Sequence, residues 1–277
     1  DCAERCQKAG YDGIELNTGC SHMFATFTSR FWNRREDEYG AQNFVNRARI
    51  VTDIIKAVKE RCGSDFAMGV LMNGYEIDTV ELGNNRLTMT VEEAVELAKL
   101  YEEAGADEIQ VRSHSIGNHI TGFFPDCYWM FGEQADTGFG QPIDIKKFWP
   151  QFVTEYDGSC GFIDTAAIIK KALTIPVMTV GSMDPRANPD VVENALAEGK
   201  IDYVAMTRPL TADPELPNKI AEGRIDDITP CTQCITCFPM TRCRVNASST
   251  RGETPEMPDG PEIKPAATKK NVVVVGG

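Results

Sequence analysis

The sequence predicts an α/β fold built on a parallel β-sheet. Two observations lead to this class: short apolar runs recur along the chain, and a helical stretch follows each of them. Strands that alternate with helices pair in parallel through right-handed crossovers, either in an open sheet or in a closed barrel. The apolar runs place strands at residues 13–16, 66–71, 108–111, 177–180 and 203–206. A closed (β/α) barrel needs eight strands, so these complete one only if further strands precede this sequence.

Longer helices are predicted between the strands from apolar spacing and capping residues. They are expected at about residues 44–61, 91–104, 164–172 and 188–198, and the chain also opens in a helix that runs into Gly10. The clearest start is Thr90, because Glu93 three residues later completes a capping box. The clearest end is Gly105, since glycine closes a helix readily in the left-handed conformation.

The balance of charges argues against a nucleic-acid partner. Forty-one acidic residues outweigh 28 basic ones, and a net charge of −13 repels a polyanion. No apolar run approaches the roughly 20 residues that cross a bilayer, so no membrane association is expected. Ten cysteines are too few for a disulfide-stapled secreted domain of this length, which favours a reducing, cytoplasmic compartment.

The composition of the chain changes from about residue 223 onwards. We expect an α/β part at 1–222, a cysteine-rich loop at 223–247, a linker rich in Pro, Glu and Thr at 248–268, and the start of a new domain at 269–277. The chain opens inside a helix and closes on a strand followed by glycines. We therefore expect it to be an internal piece of a longer polypeptide.

A cluster of cysteines predicts a metal centre. Four of the ten lie within thirteen residues, in the pattern C-x2-C-x2-C-x5-C, at Cys231, Cys234, Cys237 and Cys243. Two-residue gaps let successive thiolates surround one centre. Zinc would also accept four thiolates, but its sites usually split into two separated pairs. Disulfides are least favoured, because Cys-x-x-Cys pairs in a reducing setting bind metal or are redox-active. The spacing favours a 4Fe-4S cluster, with zinc as the alternative.

Several motifs, in their order along the chain, resemble one enzyme family. They are GYDGIEL at 10–16, N-x-R-x-D-x-Y-G at 33–40, NRAR at 46–49, TRPLTADP at 207–214 and CRVN at 243–246. The first three resemble the fourth barrel strand and following loop of the Old Yellow Enzyme family of FMN-dependent ene-reductases. The last two resemble that family's final strand with its phosphate loop and its iron-sulfur branch, which includes dienoyl-CoA reductase, enoate reductases and trimethylamine dehydrogenase.

This resemblance implies that residues 1–222 are the C-terminal part of a (β/α)8 TIM barrel, from strand four to strand eight. It also implies FMN in the barrel, a 4Fe-4S cluster in the cysteine loop, and at 269–277 the first strand of a Rossmann-like domain for FAD and NAD(P)H. The expected partner is a small unsaturated substrate, and partners could include further copies of the chain in a homo-oligomer.

The loop after the first predicted strand carries the residues that the resemblance implies for catalysis. Asn17 and Cys20 fall on the substrate-gripping positions, and His22 falls on the position of the family's proton-donating tyrosine. Imidazolium is a competent acid near neutral pH; the alternative is that His22 is a polar loop residue and that water supplies the proton. Packing explains Cys20 better than a chemical role. The resemblance implies that His114 assists the proton donor, whereas His119 fits an exposed loop.

Four further residues are implied in binding the FMN phosphate: Gly181, Ser182, Thr207 and Arg208. They follow the last two predicted strands, where barrels often build a phosphate site, and a guanidinium suits phosphate. The sequence departs from the family at Leu71, where many relatives carry Arg or Lys to neutralise the reduced flavin. Either Arg112 supplies that charge, or the flavin has a different potential, or the site has departed from ene-reduction.

Three functions follow from these residues. The first is an ene-reductase that passes electrons from NAD(P)H through FAD, the cluster and FMN to an α,β-unsaturated acid, thioester or ketone. The second is an amine dehydrogenase of the trimethylamine dehydrogenase type, which runs electrons the other way. The third is a non-catalytic, zinc-stapled binding protein.

Overall fold

The computed structural model describes residues 1–19, 22–77, 87–115, 134–136, 142–144, 160–181, 183–184, 189–232, 237, 242–246, 268–269 and 271. The chain divides into two compact units, Asp1–Thr207 and Arg208–Gly277. None of the described helices is both long and apolar enough to cross a membrane. The expected domain boundaries after residues 222, 247 and 268 stay predictions.

The described part of the first unit alternates helices and strands. Its helices are α1 (Cys2–Lys8), α2 (Met23–Thr28), α3 (Phe44–Cys62), α4 (Val91–Ala104), α5 (Ile163–Lys170) and α6 (Pro189–Ala197). Its strands are β1 (Gly13–Thr18), β2 (Ala67–Ile77), β3 (Glu108–Ser115), β4 (Gln134–Asp136), β5 (Pro142–Asp144), β6 (Val177–Thr179) and β7 (Tyr203–Val204).

The predicted parallel sheet is confirmed. Strands β1, β2, β3, β6 and β7 pair in that order, all in parallel, while β4 pairs antiparallel with β5. The strand order follows the chain, as it does in a (β/α)8 barrel. Strand β2 continues past its predicted end at Leu71 to Ile77, and β7 ends at Val204 instead of residue 206. Helix α2 was not predicted from the sequence.

Helix caps behave as their sequences predict. Thr90 Oγ1 accepts the Glu93 N–H at 3.4 Å, and the Glu93 carboxylate accepts the Thr90 N–H at 3.3 Å, which completes the capping box of α4. Gly105 ends the same helix in the left-handed conformation, with φ at 106°. These signals are local, so the sequence is enough to predict them.

One face of the sheet packs against the helices and forms the core. Met68, Val70 and Met72 of β2 are buried there with residues of α3, α4 and α5. Because side chains alternate along a strand, the intervening positions of β2 lie on the opposite face. On β1 the same alternation puts Glu15 and Asn17 on that face, where both are exposed. The polar face of the sheet is therefore the one available to ligands.

Two aspartates tie the amino ends of neighbouring strands together. Asp107, just before β3, accepts the Met68 N–H of β2 at 2.6 Å and the Lys59 ammonium at 2.5 Å. Asp202, just before β7, accepts the Val177 N–H of β6 at 2.8 Å and pairs with a lysine of α5. Each carboxylate thus satisfies a strand N–H that begins the neighbouring strand. These two similar arrangements fix the register of the strands at their amino ends.

A buried arginine holds α2 against the rest of the unit. Arg47 of α3 is 2% exposed; its Nε donates to the Thr28 carbonyl at 2.6 Å, and its Nη1 lies 3.5 Å from Glu93 Oε1. Burial lowers the pKa of this guanidinium, although the nearby Glu93 opposes the shift. Burial also raises the pKa of Glu76, whose carboxylate accepts the Met89 N–H at 2.9 Å. The bond from Arg47 to Thr28 fixes the last residue of α2, the helix whose first turn follows His22.

The second unit is built around a buried carboxylate. Its described helices are α7 (Arg208–Ala212) and α8 (Leu216–Ala221), followed by a 3-10 turn at Ile225–Asp227. Asp213 is 4% exposed and accepts the Lys219 ammonium at 2.6 Å and the Thr229 N–H at 2.8 Å. Burial alone would raise the pKa of Asp213, but these hydrogen bonds, that of Lys219 first, lower it. The carboxylate therefore joins the two helices to the chain just before the cysteines.

Candidate active site

The carboxyl ends of β1, β2 and β3 lie side by side. Asn17 of β1 is in register with Leu71 of β2, and Asn73 of β2 is in register with Arg112 of β3. The ladder of β2 and β3 becomes irregular just after Asn73, as is common beside active sites. The pairing therefore brings polar groups from three strands to one edge, where barrel enzymes hold their catalytic groups.

Gly19 lies at the point where Leu71 and Arg112 meet. A Cβ atom built on Gly19 would lie 2.2 Å from Leu71 Cδ2 and 3.2 Å from Arg112 Cδ. A methyl group does not fit there, because carbon atoms pack at about 3.5–4.0 Å. The aliphatic chain of half-buried Arg112 thus runs beside Leu71. The role of Arg112 as the cation that replaces a charged residue at Leu71 stays a prediction. Gly19 was not predicted as a site residue, although a glycine directly after a strand is a usable signal.

Asn17 and His22 stand on either side of this glycine in sequence. The exposed Asn17 accepts the Gly19 N–H on its Oδ1 at 3.1 Å, so its amide N–H groups remain as the donors of that side chain. His22 is exposed and is the N-cap residue of α2; its ring makes no capping bond, while its carbonyl accepts the Thr26 N–H at 3.3 Å. Cys20 lies outside the described residues.

The two remaining histidines are His114 and His119. His114 belongs to β3 and is in register with Glu76 of β2, but the position of its ring is not described. His119 lies outside the described residues. The implied role of His114 as an assistant to the proton donor stays a prediction.

Two carboxylates lie one layer nearer the amino ends of the strands. Glu15 and Glu108 are both in register with Gly69. A Cβ atom built on Gly69 would lie only 2.6 Å from Glu108 Oε1, so the Glu108 side chain fills the space beside this glycine. The neighbouring groups partly desolvate both carboxylates, although Glu15 keeps an exposed surface, and this raises the pKa of each; the charge of Glu108 raises the pKa of Glu15 further, and that of Asp107 raises the pKa of Glu108. The layer beneath Asn17 and Leu71 is therefore acidic, and its two carboxylates keep their protons to a higher pH than isolated, fully solvated ones do.

The predicted phosphate-binding residues fall in different parts of the structure. Gly181 follows β6 with φ at +124°, and a Cβ there would lie 3.1 and 3.3 Å from ring atoms of Phe162. Only glycine suits both this backbone and this space. Ser182 lies outside the described residues. Thr207 ends the first unit and Arg208 begins α7 of the second. A phosphate-binding site formed by these residues together with Gly181 stays a prediction.

The cysteine loop is anchored at both ends within the second unit. Before it, the Thr229 N–H donates to Asp213; after it, Asn246 Nδ2 donates to the Thr211 carbonyl of α7 at 2.7 Å. Three of the four predicted ligands are described, and all are half-buried thiols and not disulfides: Cys231, Cys237 and Cys243. Among the described residues, no three His, Cys, Asp or Glu side chains converge to the spacing of a metal site. Cys234 lies outside those residues, so the cluster stays a prediction.

The chain matches a known family over most of its length. Residues 1–121 and 155–227 fit the pattern of the NADH:flavin oxidoreductase / NADH oxidase family. The chain belongs to this family. It is 33% identical to an NADH oxidase from Thermoanaerobacter brockii, over 100% of the chain and 37% of that protein. It is 28% identical to a cinnamate reductase from Clostridium sporogenes, over 100% of the chain and 38% of that protein.

A solved structure supports the same assignment. A 2-naphthoyl-CoA reductase in complex with 2-naphthoyl-CoA superposes with a TM-score of 0.65 at 29% identity, over 88% of the chain and 32% of that structure's chain. The resemblance to Old Yellow Enzyme relatives and the assignment to part of an α/β barrel are thus confirmed. The chain spans little more than a third of the length of these relatives. The comparisons therefore show the family of this chain, and the reaction of the whole protein is a matter for proposal.

Proposed function

We propose that this chain is the flavin-binding part of an iron-sulfur ene-reductase. NAD(P)H would reduce FAD, and electrons would reach the C=C bond of an α,β-unsaturated acid, thioester or ketone through a 4Fe-4S cluster and FMN. The observation that carries the proposal is the meeting of Leu71 and Arg112 over Gly19, beside Asn17. It brings a cationic side chain and a hydrogen-bond donor to one edge of the sheet.

FMN, when bound, supplies the hydride that is added to the β-carbon of the alkene. The residues around it would supply charge and space. Arg112 would balance the negative charge of the reduced flavin, because Leu71 carries none. Gly19 and Gly181 let the backbone lie close to Leu71 and to Phe162, since a side chain at either position would collide with those residues.

Asn17 and His22 would act on the substrate. The amide N–H groups of Asn17 can donate to the substrate carbonyl, which draws electron density from the β-carbon and favours hydride addition there. His22 would deliver a proton to the α-carbon, with assistance from His114. If His22 is only a polar residue of the loop, water would supply this proton.

The four cysteines of the anchored loop would hold the cluster, with Thr229 and Asn246 fixing the ends of the loop. Four thiolates are the donor set of a 4Fe-4S centre, which supplies single-electron transfer when present. The FAD and NAD(P)H domain would follow at residue 269, in keeping with relatives that are much longer than this chain. We place the enzyme in the cytoplasm, where these thiols would stay reduced.

The test uses the full-length protein under anaerobic conditions. The proposal expects bound FMN, about four iron atoms and four sulfides per chain, and NADH-driven reduction of an added cinnamate-type enoate. Oxidation of methylamines with an artificial acceptor, without enoate reduction, would favour the amine dehydrogenase instead. A colourless protein that contains zinc would refute both enzymes and leave the binding protein.

A further inference from the structure

Thr18 joins the carboxyl end of β1 to the neighbouring strand. It is the last residue of β1, directly after Asn17, and it is 1% exposed. Its Oγ1 donates to the Leu71 carbonyl oxygen of β2 at 2.8 Å. Because side chains alternate along a strand, Thr18 lies on the helix side of the sheet with Ile14 and Leu16, whereas Asn17 lies on the opposite, polar face. Thr18 is therefore the place where the helix layer can act on a residue of the polar face.

The position of Thr18 also bears on the side chain of Asn17. Asn17 Oδ1 accepts the Gly19 N–H at 3.1 Å, and Gly19 packs closely against Leu71. The bond from Thr18 to Leu71 and the bond from Gly19 to Asn17 together hold residues 17–19 against β2. The direction of the Asn17 amide depends on this turn, so a shift of Thr18 would move its N–H donors.

A buried tyrosine hydroxyl lies behind Thr18. Tyr101 of α4 is 0% exposed, and its hydroxyl oxygen makes no hydrogen bond of normal geometry within the described ranges. Burial raises the pKa of Tyr101, whereas the charge of Arg47 and the hydroxyl of Thr18 oppose this rise, so both groups are neighbours of the phenol. Phenylalanine would fill the same space without a polar atom to desolvate. The packing of the core therefore does not require this hydroxyl.

The donors and acceptors give the direction of the contact between Tyr101 and Thr18. A threonine hydroxyl has one proton, and that of Thr18 goes to the Leu71 carbonyl, so Thr18 Oγ1 remains as an acceptor. The Tyr101 O–H is a donor that needs an acceptor, and a guanidinium such as that of Arg47 has only N–H groups. Of these two neighbours, Thr18 is the one that can accept the tyrosine proton.

We propose that Tyr101 and Thr18 are positioning residues for Asn17. The Tyr101 hydroxyl donates to Thr18 Oγ1, Thr18 donates to the Leu71 carbonyl, and this chain of bonds holds the turn that directs the Asn17 amide. The helix layer thereby sets the geometry of a donor on the opposite face of the sheet. This rests on the proposed function, in which Asn17 donates to the substrate carbonyl. A small displacement of such a donor slows the reaction, because its hydrogen bond must match the transition state.

The experiment follows the two half-reactions of the full-length protein separately, by anaerobic stopped-flow spectroscopy. Tyr101→Phe and Thr18→Val each remove one hydroxyl with little change of shape. We expect both to slow the oxidation of the reduced flavin by a cinnamate-type enoate about tenfold, and to leave flavin reduction by NADH within about twofold. Thr18→Ser keeps the hydroxyl and should stay within about threefold of the unmodified protein in both steps. If Thr18→Val does not accumulate, Tyr101→Phe gives the same comparison.

A double-mutant cycle tests whether the effect passes through Asn17. In an Asn17→Ala background, Tyr101→Phe should not slow the enoate step further, because the donor that it positions is absent. Thr179 offers a matched control: it is 0% exposed, and its Oγ1 donates to the Val111 carbonyl at 2.9 Å, which is the same kind of bond between β6 and β3. Thr179→Val should lower the melting temperature and leave the enoate step within about threefold at saturating FMN.

The possible results separate this proposal from the proposed function. An unchanged enoate step in Tyr101→Phe, or a further loss in the Asn17→Ala background as large as in the unmodified protein, would overturn the positioning role. Equal slowing by Thr179→Val would assign the effect to general stability and would overturn the role as well. If the unmodified protein binds no FMN or reduces no enoate, the proposed function is wrong, and this proposal falls with it.

Discussion

Replacing Gly19 by alanine should disturb the active edge without removing any of its polar groups. The added Cβ would lie 2.2 Å from Leu71 Cδ2, more than an ångström inside normal carbon contact, and 3.2 Å from Arg112 Cδ. Leu71 is only 9% exposed, so it cannot simply swing into solvent. Overpacking of this kind costs about 1–3 kcal/mol of the free energy of unfolding, and the guanidinium of Arg112 moves with its stem.

A double-mutant cycle with Leu71→Ala isolates this collision. Removing Leu71 Cδ2 takes away the nearer of the two clashes, so Gly19→Ala should cost at least about 1 kcal/mol less in the Leu71→Ala background than alone. Urea unfolding gives the free energies, and FMN titration of the same four proteins should show weaker binding in Gly19→Ala alone. Gly199→Ala, at a glycine with no atom within 4 Å of its Cβ position, should show no coupling to Leu71. A coupling energy of zero for Gly19 and Leu71 would refute the packing described for this edge.

Three further predictions concern charge and proton transfer. Arg112→Leu should weaken FMN binding and lower the flavin reduction potential, while Arg112→Lys retains most of both; equal potentials in the two variants would contradict the role of the charge. His22→Phe should slow alkene reduction in stopped-flow traces and leave NADH-driven flavin reduction intact, and an unchanged turnover would assign the proton to water. Asp213→Asn should destabilise the protein by about 2 kcal/mol at pH 7, because the Lys219 ammonium then faces a neutral amide in place of a buried carboxylate. The pKa of Asp213 is lowered in the folded state, so the difference in the free energy of unfolding between the original protein and Asp213→Asn should persist above about pH 4 and fade only at lower pH. Urea unfolding at pH 7 and at pH 3 measures this difference. A difference that grows on acidification would contradict the lowered pKa.

Local signals predicted most of the secondary structure. The capping box at Thr90 and the left-handed Gly105 bound α4 as expected, because both depend on residues within one turn of the helix. The ends of strands were predicted less well: β2 runs on to Ile77 because its pairing with β3 continues beyond the continuous apolar run that ends at Leu71. Helix α2 escaped prediction since it is short and is held by Arg47 from another helix.

The site was predicted in its residue types more than in its arrangement. Asn17, His22 and Arg112 were named from the family resemblance, and their roles stay predictions. The register of β1, β2 and β3 explains how Asn17 and Arg112 come to the same edge of the sheet. The crowding of Gly19 and the bond from Thr18 to Leu71 were not predicted. Neither feature can be recognised from the type of residue alone, because each depends on contacts with parts of the chain that are distant in sequence.

By itself, the sequence determined the alternation of strands and helices, the caps, the cysteine spacing and the family motifs, since these depend on neighbours along the chain. Only the tertiary structure decided that Leu71 and Arg112 converge over Gly19 and that Thr18 bonds to Leu71. Parallel strands bring together side chains that long helical connections separate in sequence, and close packing then leaves room for one arrangement of them.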